Sequence, residues 1–268
     1  MMDALIAFLS GINSISNYIG GIALEPLQSL PGWISLTIIS AVLGIVIFII
    51  FTLTANRQAF TKILDDIKAN ILAVLLFKDN FYVTMKSEVR LLACSGRLLW
   101  YSIIPVLVMS IPLSLILAQM ASWYQNRPVL PGSESVLVSL KLNSTAGEWP
   151  EVTLREIPEI EVLTGPVRLF SRGEIYWEIK PLTEGSHNLI FQADDRQFSK
   201  TLSAGTGFMR LSPNRPGHKL LDMLLYPLEK PFSAESSVAS ISVGYPERPS
   251  KIYGTDWWVF YFCIVSMI

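Results

Sequence analysis

Residues 53–79 read LTANRQAFTKILDDIKANILAVLLFKD. The stretch leaves one apolar run, carries charge for about three helical turns and then becomes apolar again. It lies directly behind a run of membrane length, so its charge decides how the chain sits in a bilayer. That preceding run, Trp33 to Thr54 (WISLTIISAVLGIVIFIIFTLT), is uncharged, and roughly 22 residues at 1.5 Å each cross a hydrocarbon core of about 30 Å. On the other side, Leu98 to Ser122 is long enough for a second span. It contains Pro105 and Pro112, and Ser102, Ser110 and Ser114 stand close enough to satisfy the carbonyls that the prolines free. A third run starts at Asp256 (DWWVFYFCIVSMI) and supplies only about a dozen apolar residues, too few to span. Its Trp257, Trp258, Phe260, Tyr261 cluster reads as the aromatic belt opening a third span that is cut short.

Composition agrees with lipid as the solvent. The chain has 268 residues, 51% hydrophobic and 16% charged, against about 25% charged in an average soluble domain. A net charge of −1 gives no global attraction to nucleic acid. Cys94 and Cys263 lie in or beside apolar runs and far apart, which suggests neither a disulfide framework nor a metal site.

Between the first two spans stand Arg57, Lys62, Lys68, Lys78, Lys86, Arg90 and Arg97, whereas no Lys or Arg precedes Arg57. The positive-inside rule therefore predicts a cytoplasmic segment 55–97 and an outer N-terminus. The opening MMDALIAFLSGINSISNYIGG lacks the basic region of a leader. Its Leu5, Phe8, Leu9, Ile12, Ile15 and Ile19 recur at helical spacing opposite Asp3, Ser10, Asn13 and Asn17. This predicts an amphipathic helix within 1–32, either on the membrane surface or packed on the rest of the protein. In the cytoplasmic segment, Phe60, Ile63, Leu64, Ile67, Ile71, Leu72 and Leu75 share one face. A turn at Lys78-Asp79-Asn80 leads to a second arm, from about Phe81 into the second span, with a stripe of Val83, Val89, Leu91 and Leu92. Either the two stripes pack on each other, or Ile71, Leu72, Leu75, Leu76 and Phe77 dock on a partner or dip into the inner leaflet. Ser40 and Gly44 form a small-xxx-small pair suited to helix packing.

After Arg127 the period changes to two. PVLPG makes a stiff exit from the membrane. Strands are predicted at 135–142, 151–154, 160–163, 167–170, 175–179, 187–192, 197–202 and 237–243, with a short helix and Pro-rich chain interrupting at 217–232. Region 123–255 thus reads as an extracytoplasmic β-sandwich. The stretch EIYWEIKPLTEGSHNLIFQADDRQFSKTL resembles the central strands of immunoglobulin-like domains, with Trp177 filling the core. Exposed strand edges in such a domain suit β-addition. His187 and His218 lack a nucleophile arrangement, Asp194-Asp195 suits a turn, Glu156, Glu159 and Glu161 suit a solvated edge, and Asn143-Ser144-Thr145 fits a glycosylation sequon. No catalytic, cofactor or metal residue is expected.

The order of parts resembles the YidC-like membrane insertase superfamily. An outer amphipathic helix, a Leu30-Pro31-Gly32-Trp33 approach, an outside-to-inside span (33–54), a charged hairpin (55–97), a returning span (98–122) and the start of a further span (256–268) carry the likeness. It implies a groove open to the cytoplasm through which hydrophobic segments enter the bilayer. Bacterial members place a basic residue in the first core span, where this chain has LGIVI at Leu43 to Ile47, and their β-domain precedes the core. Gln119, Ser110, Ser114 and Ser40 are the polar groups left to line a groove. The resulting expectation is a non-enzymatic, multi-pass protein of the bacterial inner membrane. It would be a scaffold or assembly subunit of a membrane complex or serve membrane-protein biogenesis, with lipid, other membrane subunits and a cytoplasmic partner on 55–97 as its contacts. The alternative is an accessory subunit of a transporter or membrane enzyme whose active site is in another chain.

Overall fold

A computed structural model describes residues 2–55, 57–76, 81–143, 149–193, 196–233, 235–248 and 257–268. The expectations for Phe77, Lys78, the turn at Lys78–Asn80, Ser144-Thr145, Asp194-Asp195 and Asp256 lie outside the described residues. The chain divides into two compact units, one of residues 1–40 with 114–268, the other of residues 41–113.

The element order is α1 (Met2–Leu24), a 3-10 turn (Glu25–Ser29), α2 (Gly32–Thr54), α3 (Arg57–Leu76) and α4 (Phe81–Tyr124), then β1 (Val136–Leu142) to β8 (Val238–Val243), with α5 (Leu220–Leu225) before β8 and α6 (Trp257–Met267) after it. α2 and the Phe81–Ser110 part of α4 are long and apolar enough to cross a membrane. α4 runs unbroken for 44 residues, about 66 Å, so no break separates the hairpin arm from the following apolar run. Pro105 and Pro112 leave the carbonyls of Tyr101 and Val108 without a helical donor. The expected serine rescue takes another form. Ser102 donates to Leu98 at 2.8 Å and Ser110 to Leu107 at 2.7 Å, each bonding the turn behind itself rather than the freed carbonyl.

In the larger unit, two antiparallel sheets enclose one apolar core. One has the strand order β3 (Ile160–Leu169), β4 (Glu174–Pro181), β1, β8, β7 (Asn214–Arg215); the other has β2 (Val152–Leu154), β5 (Gly185–Ala193), β6 (Arg196–Ala204). Alternation builds this core. β4 buries Ile175, Trp177 and Ile179 while Glu174, Tyr176 and Glu178 stay half-buried on the other face. The Trp177 ring stands 5.1 Å from that of Phe191, so one aromatic pair joins the two sheets. The two strands predicted at 160–163 and 167–170 are one strand, β3, which pairs with β4 on both sides of register shifts flanking Thr164. Gly165-Pro166 is the natural place to stop a strand; here the chain bulges and resumes. The segment between α4 and β1 is closed by Arg127, which donates to both Glu134 oxygens at 2.7 Å. That contact holds the Glu134 carboxyl below its usual range.

In the smaller unit, the end of α2 meets α3 through an edge-to-face contact of Phe51 and Phe60 at 6.4 Å. Burial among the described residues is confined to Gly44, Ile63, Ser87, Cys94 and Pro105. On α4 the covered face is Val83, Ser87, Leu91 and Cys94, whereas Val89 and Leu92 of the expected stripe are exposed.

Candidate functional site

The most elaborate polar construction lies in the larger unit, where α1 meets the end of α4. Ile6, Asn13, Asn17, Gly20 and Leu24 recur at three, four and seven positions and so share one face of α1. That face turns inward: Ile6, Asn13 and Leu24 are buried. Asn13 donates 2.8 Å to the Met223 carbonyl and Asn17 donates 2.7 Å to that of Pro227. The Asn17 side-chain oxygen accepts from Gln119 at 2.7 Å and from Arg210 at 3.1 Å. Arg210 also donates to the Asn17 carbonyl at 3.2 Å and to the Gln119 side-chain oxygen. Burial pulls the Arg210 guanidinium below its ordinary value, and the Glu25 carboxylate acts the other way. A methyl group on Gly20 would stand 2.9 Å from the Gln119 oxygen, so a side chain there would displace the end of Gln119. Phe8, Ile15, Tyr18, Ile19 and Ile22 face outward, each more than half exposed. The face carrying Asn13 and Asn17 thus packs on the protein, while on the apolar face Leu9 and Ile12 are half-buried and Phe8, Ile15 and Ile19 exposed.

The same unit gathers aromatic residues where three helices begin or end. Ser35 near the start of α2 and Tyr124 at the end of α4 are 2.8 Å apart, oxygen to oxygen, and Thr37 of α2 and Tyr261 of α6 are 2.6 Å apart. A cavity of about 300 Å³ lies beside this junction. Its α4 wall is Ser114, Leu117, Ala118, Ala121 and Ser122, positions that share one helical face, continued by Gln125 just past the helix end. Facing it are residues 211–213 and 225–228, with Trp258 and Val259 of α6. Gln119, one of the residues expected to line a groove, belongs to the polar node on the other side of α4; Ser114 does line the cavity.

Behind Ser212 is a buried charge. Lys200 occupies an inward position of β6, between Phe198 and Leu202, and is fully buried. It donates to the Ser212 carbonyl at 2.6 Å, to the Ser212 hydroxyl at 2.9 Å, and to Glu229. Burial pushes its pKa down to about 8 against the pull of Glu229. Arg215 covers the outer end, bonded to the Ser199 carbonyl at 2.5 Å and lying 4.2 Å from the Phe232 ring centre. This arrangement ties β6 to the segment after α5.

The residues singled out from sequence fall as follows. Arg57, Lys62, Lys68, Lys86, Arg90 and Arg97 are all exposed. Ile71, Leu72, Leu75 and Leu76 are 46%, 59%, 67% and 68% exposed, so the described residues leave Leu72, Leu75 and Leu76 largely uncovered. Ser40 is buried and donates 2.6 Å to the Leu36 carbonyl, and Gly44 is buried. His187 is half-buried and within 2.9 Å of the Thr183 carbonyl. Glu156, Glu159 and Glu161 are exposed. β3 is a free sheet edge with Val162, Leu163 and Val167 exposed, but Pro166 lacks an N–H and the register shifts interrupt its ladder, which blunts it for β-addition. No group of three or more His, Cys, Asp or Glu able to hold a metal occurs among the described residues. Sequence reasoning passed over Arg210 and Lys200. A lysine in phase with Phe198 and Leu202 was the available signal for the second; nothing local marked the first. No known protein family, curated protein or solved structure matches the chain.

Proposed function

We propose that the chain is a non-enzymatic, multi-pass protein of a bacterial inner membrane that serves as a scaffold or assembly subunit, or assists membrane-protein biogenesis with an insertase-like skeleton. The observation that carries this reading is the uncovered stripe of Ile71, Leu72, Leu75 and Leu76 on α3. It sits on a helix that also carries Arg57, Lys62, Asp65, Asp66 and Lys68, too many charges for a span. An exposed apolar patch on a helix this charged marks a surface that meets a protein partner or lipid.

The outward apolar face of α1 and the Ser35–Tyr124 contact support the topology. With α2 and α4 crossing the bilayer, α1, the paired sheets and the start of α6 would share the outer side, leaving 55–97 to the cytoplasm. The Trp177–Phe191 pairing of two sheets favours an immunoglobulin-like sandwich for the outer domain. Purification of the full chain in mild detergent, with mass spectrometry of co-eluting chains, tests the assembly reading. A stoichiometric membrane partner is expected, and a lone monomer would overturn it. Reconstitution alone into liposomes tests insertase activity: a single-span client should become protease-protected.

A further inference from the structure

We infer that the cavity between α4, the 225–228 segment and α6 holds one acyl chain of a membrane phospholipid. At about 300 Å³ it is at the small end of ligand pockets. The room comes from side-chain size, because Ser114, Ala118, Ala121 and Ser122 line one face of α4 where large residues would close the gap.

The polar complement decides the class of occupant. The Ser122 hydroxyl already donates 2.6 Å to the Gln119 carbonyl. The Ser212 carbonyl and hydroxyl are taken by Lys200. A peptide in this space would bring backbone N–H and C=O groups with few partners, each costly to bury unpaired. A hydrocarbon chain brings none. The buried Trp258 indole N–H has no acceptor among the described residues, and a lipid ester carbonyl is an acceptor of the kind it lacks. Supply follows from the architecture: α4 and α6, which wall the cavity, are apolar helices of the proposed membrane topology, so lipid stands beside its walls. The inference rests on that topology.

The full chain is reconstituted into vesicles of phosphatidylethanolamine and phosphatidylglycerol that contain a phospholipid with a diazirine in its acyl chain. After irradiation, adducts are mapped by mass spectrometry. Adducts are expected on peptides covering 114–125, 225–228 and 257–268, and on the outward residues of α2 such as Ile45 and Phe48. Ala121→Phe, which fills the cavity, should lower labelling of the 225–228 peptide several-fold and leave α2 labelling unchanged; Ser114→Phe is the second variant should the first fail to fold. Labelled α2 with an unlabelled 225–228 peptide, or labelling unchanged by a folded filling variant, would overturn the acyl-chain site alone. Absence of α2 labelling would overturn the membrane topology and the site with it. A parallel sample with a diazirine fatty acid distinguishes the source: stronger labelling by the free acid than by the phospholipid would overturn the assignment to phospholipid.

Discussion

The side-chain amide of Asn13 donates 2.8 Å to the backbone carbonyl of Met223, 210 positions later in the chain. With the Asn17–Pro227 bond one helical turn on, it fixes which face of α1 turns inward. An amphipathic helix ordinarily buries its apolar side in a protein. Here the polar side is used for docking, which leaves Phe8, Ile15 and Ile19 exposed.

Asn17 is the centre of this attachment, because its side chain bonds Pro227, Gln119 and Arg210 at once. Asn17→Ala should therefore free α1 while the paired sheets stay folded. We expect a loss of about 1–3 kcal/mol, the cost of leaving buried polar groups unmatched. Hydrogen exchange is the appropriate measurement: amides of α1 should exchange faster and those of β4 and β5 should not. Equal protection of α1 in the variant would show that the bonds hold nothing.

The Lys200–Glu229 pair permits a two-step test. Removing one partner strands a buried charge, so Lys200→Met alone should cost about 3–5 kcal/mol. Lys200→Met with Glu229→Leu should recover most of that loss, since hydrophobic replacement of a buried pair is often close to neutral. Urea unfolding of the full chain in detergent, followed by tryptophan fluorescence, reads both. A double variant no more stable than the single one would refute the coupling.

Stability should also depend on pH in a defined sense. The folded-state pKa of Lys200, about 8, lies below its ordinary 10.5. Between those values the unfolded chain binds more protons, so stability rises with pH and is flat below about 8. Tyr245 acts oppositely. Burial raises it to about 12 from 10, so above pH 10 the unfolded chain ionises first and stability falls. Unfolding measured from pH 7 to 11 should thus peak near 10, with a rising slope of at most about 1.4 kcal/mol per pH unit. The Lys200→Met, Glu229→Leu variant should lose the rise and keep the fall. A wild-type profile that declines from 8 to 10 contradicts the burial of a charged lysine.

The elements were largely legible because each follows from a period. Ile175, Trp177 and Ile179 alternate in the sequence and are buried together, and the uncharged run at 33–54 emerges as α2 almost to the residue. What escaped the sequence depends on pairing between distant segments. Nothing near Arg210 predicts that Asn17 and Gln119 supply its acceptors, and the α4 face carrying Val89 and Leu92 looks as suitable for burial as the one the structure covers. The bulge at Thr164 is a similar case, since Gly165-Pro166 is a proper turn signal until β4 provides partners on both sides. The cavity was legible only as small residues at helical spacing, because its other walls come from residues about a hundred positions away.

Gly165 offers a local check on that bulge. Its φ of +136° disfavours any side chain, and a Cβ there would lie 2.6 Å from Trp177 Cδ1 and 3.0 Å from the Tyr176 carbonyl oxygen. Trp177 cannot yield easily, since it is 2% exposed and packed on Phe191. Gly165→Ala should cost at least about 1–3 kcal/mol from backbone conformation alone, visible as a lowered urea midpoint. An unchanged midpoint would mean that β3 runs differently past Trp177.

The stripe on α3 separates folding from function most cleanly. Leu72 and Leu75 are more than half exposed, so Leu72→Glu with Leu75→Glu should change stability by no more than about 0.5 kcal/mol per site, as surface substitutions usually do. The same change places two carboxylates where a partner or lipid would have to desolvate them. Co-purification of any partner bound to 55–97 should therefore be lost while the unfolding curve stays put. Reversing one exposed charge away from the stripe, Lys62→Glu, provides the comparison: it changes charge without removing apolar area and should weaken the interaction less. If the leucine variant retains its partner at undiminished yield, the uncovered stripe is not the docking surface.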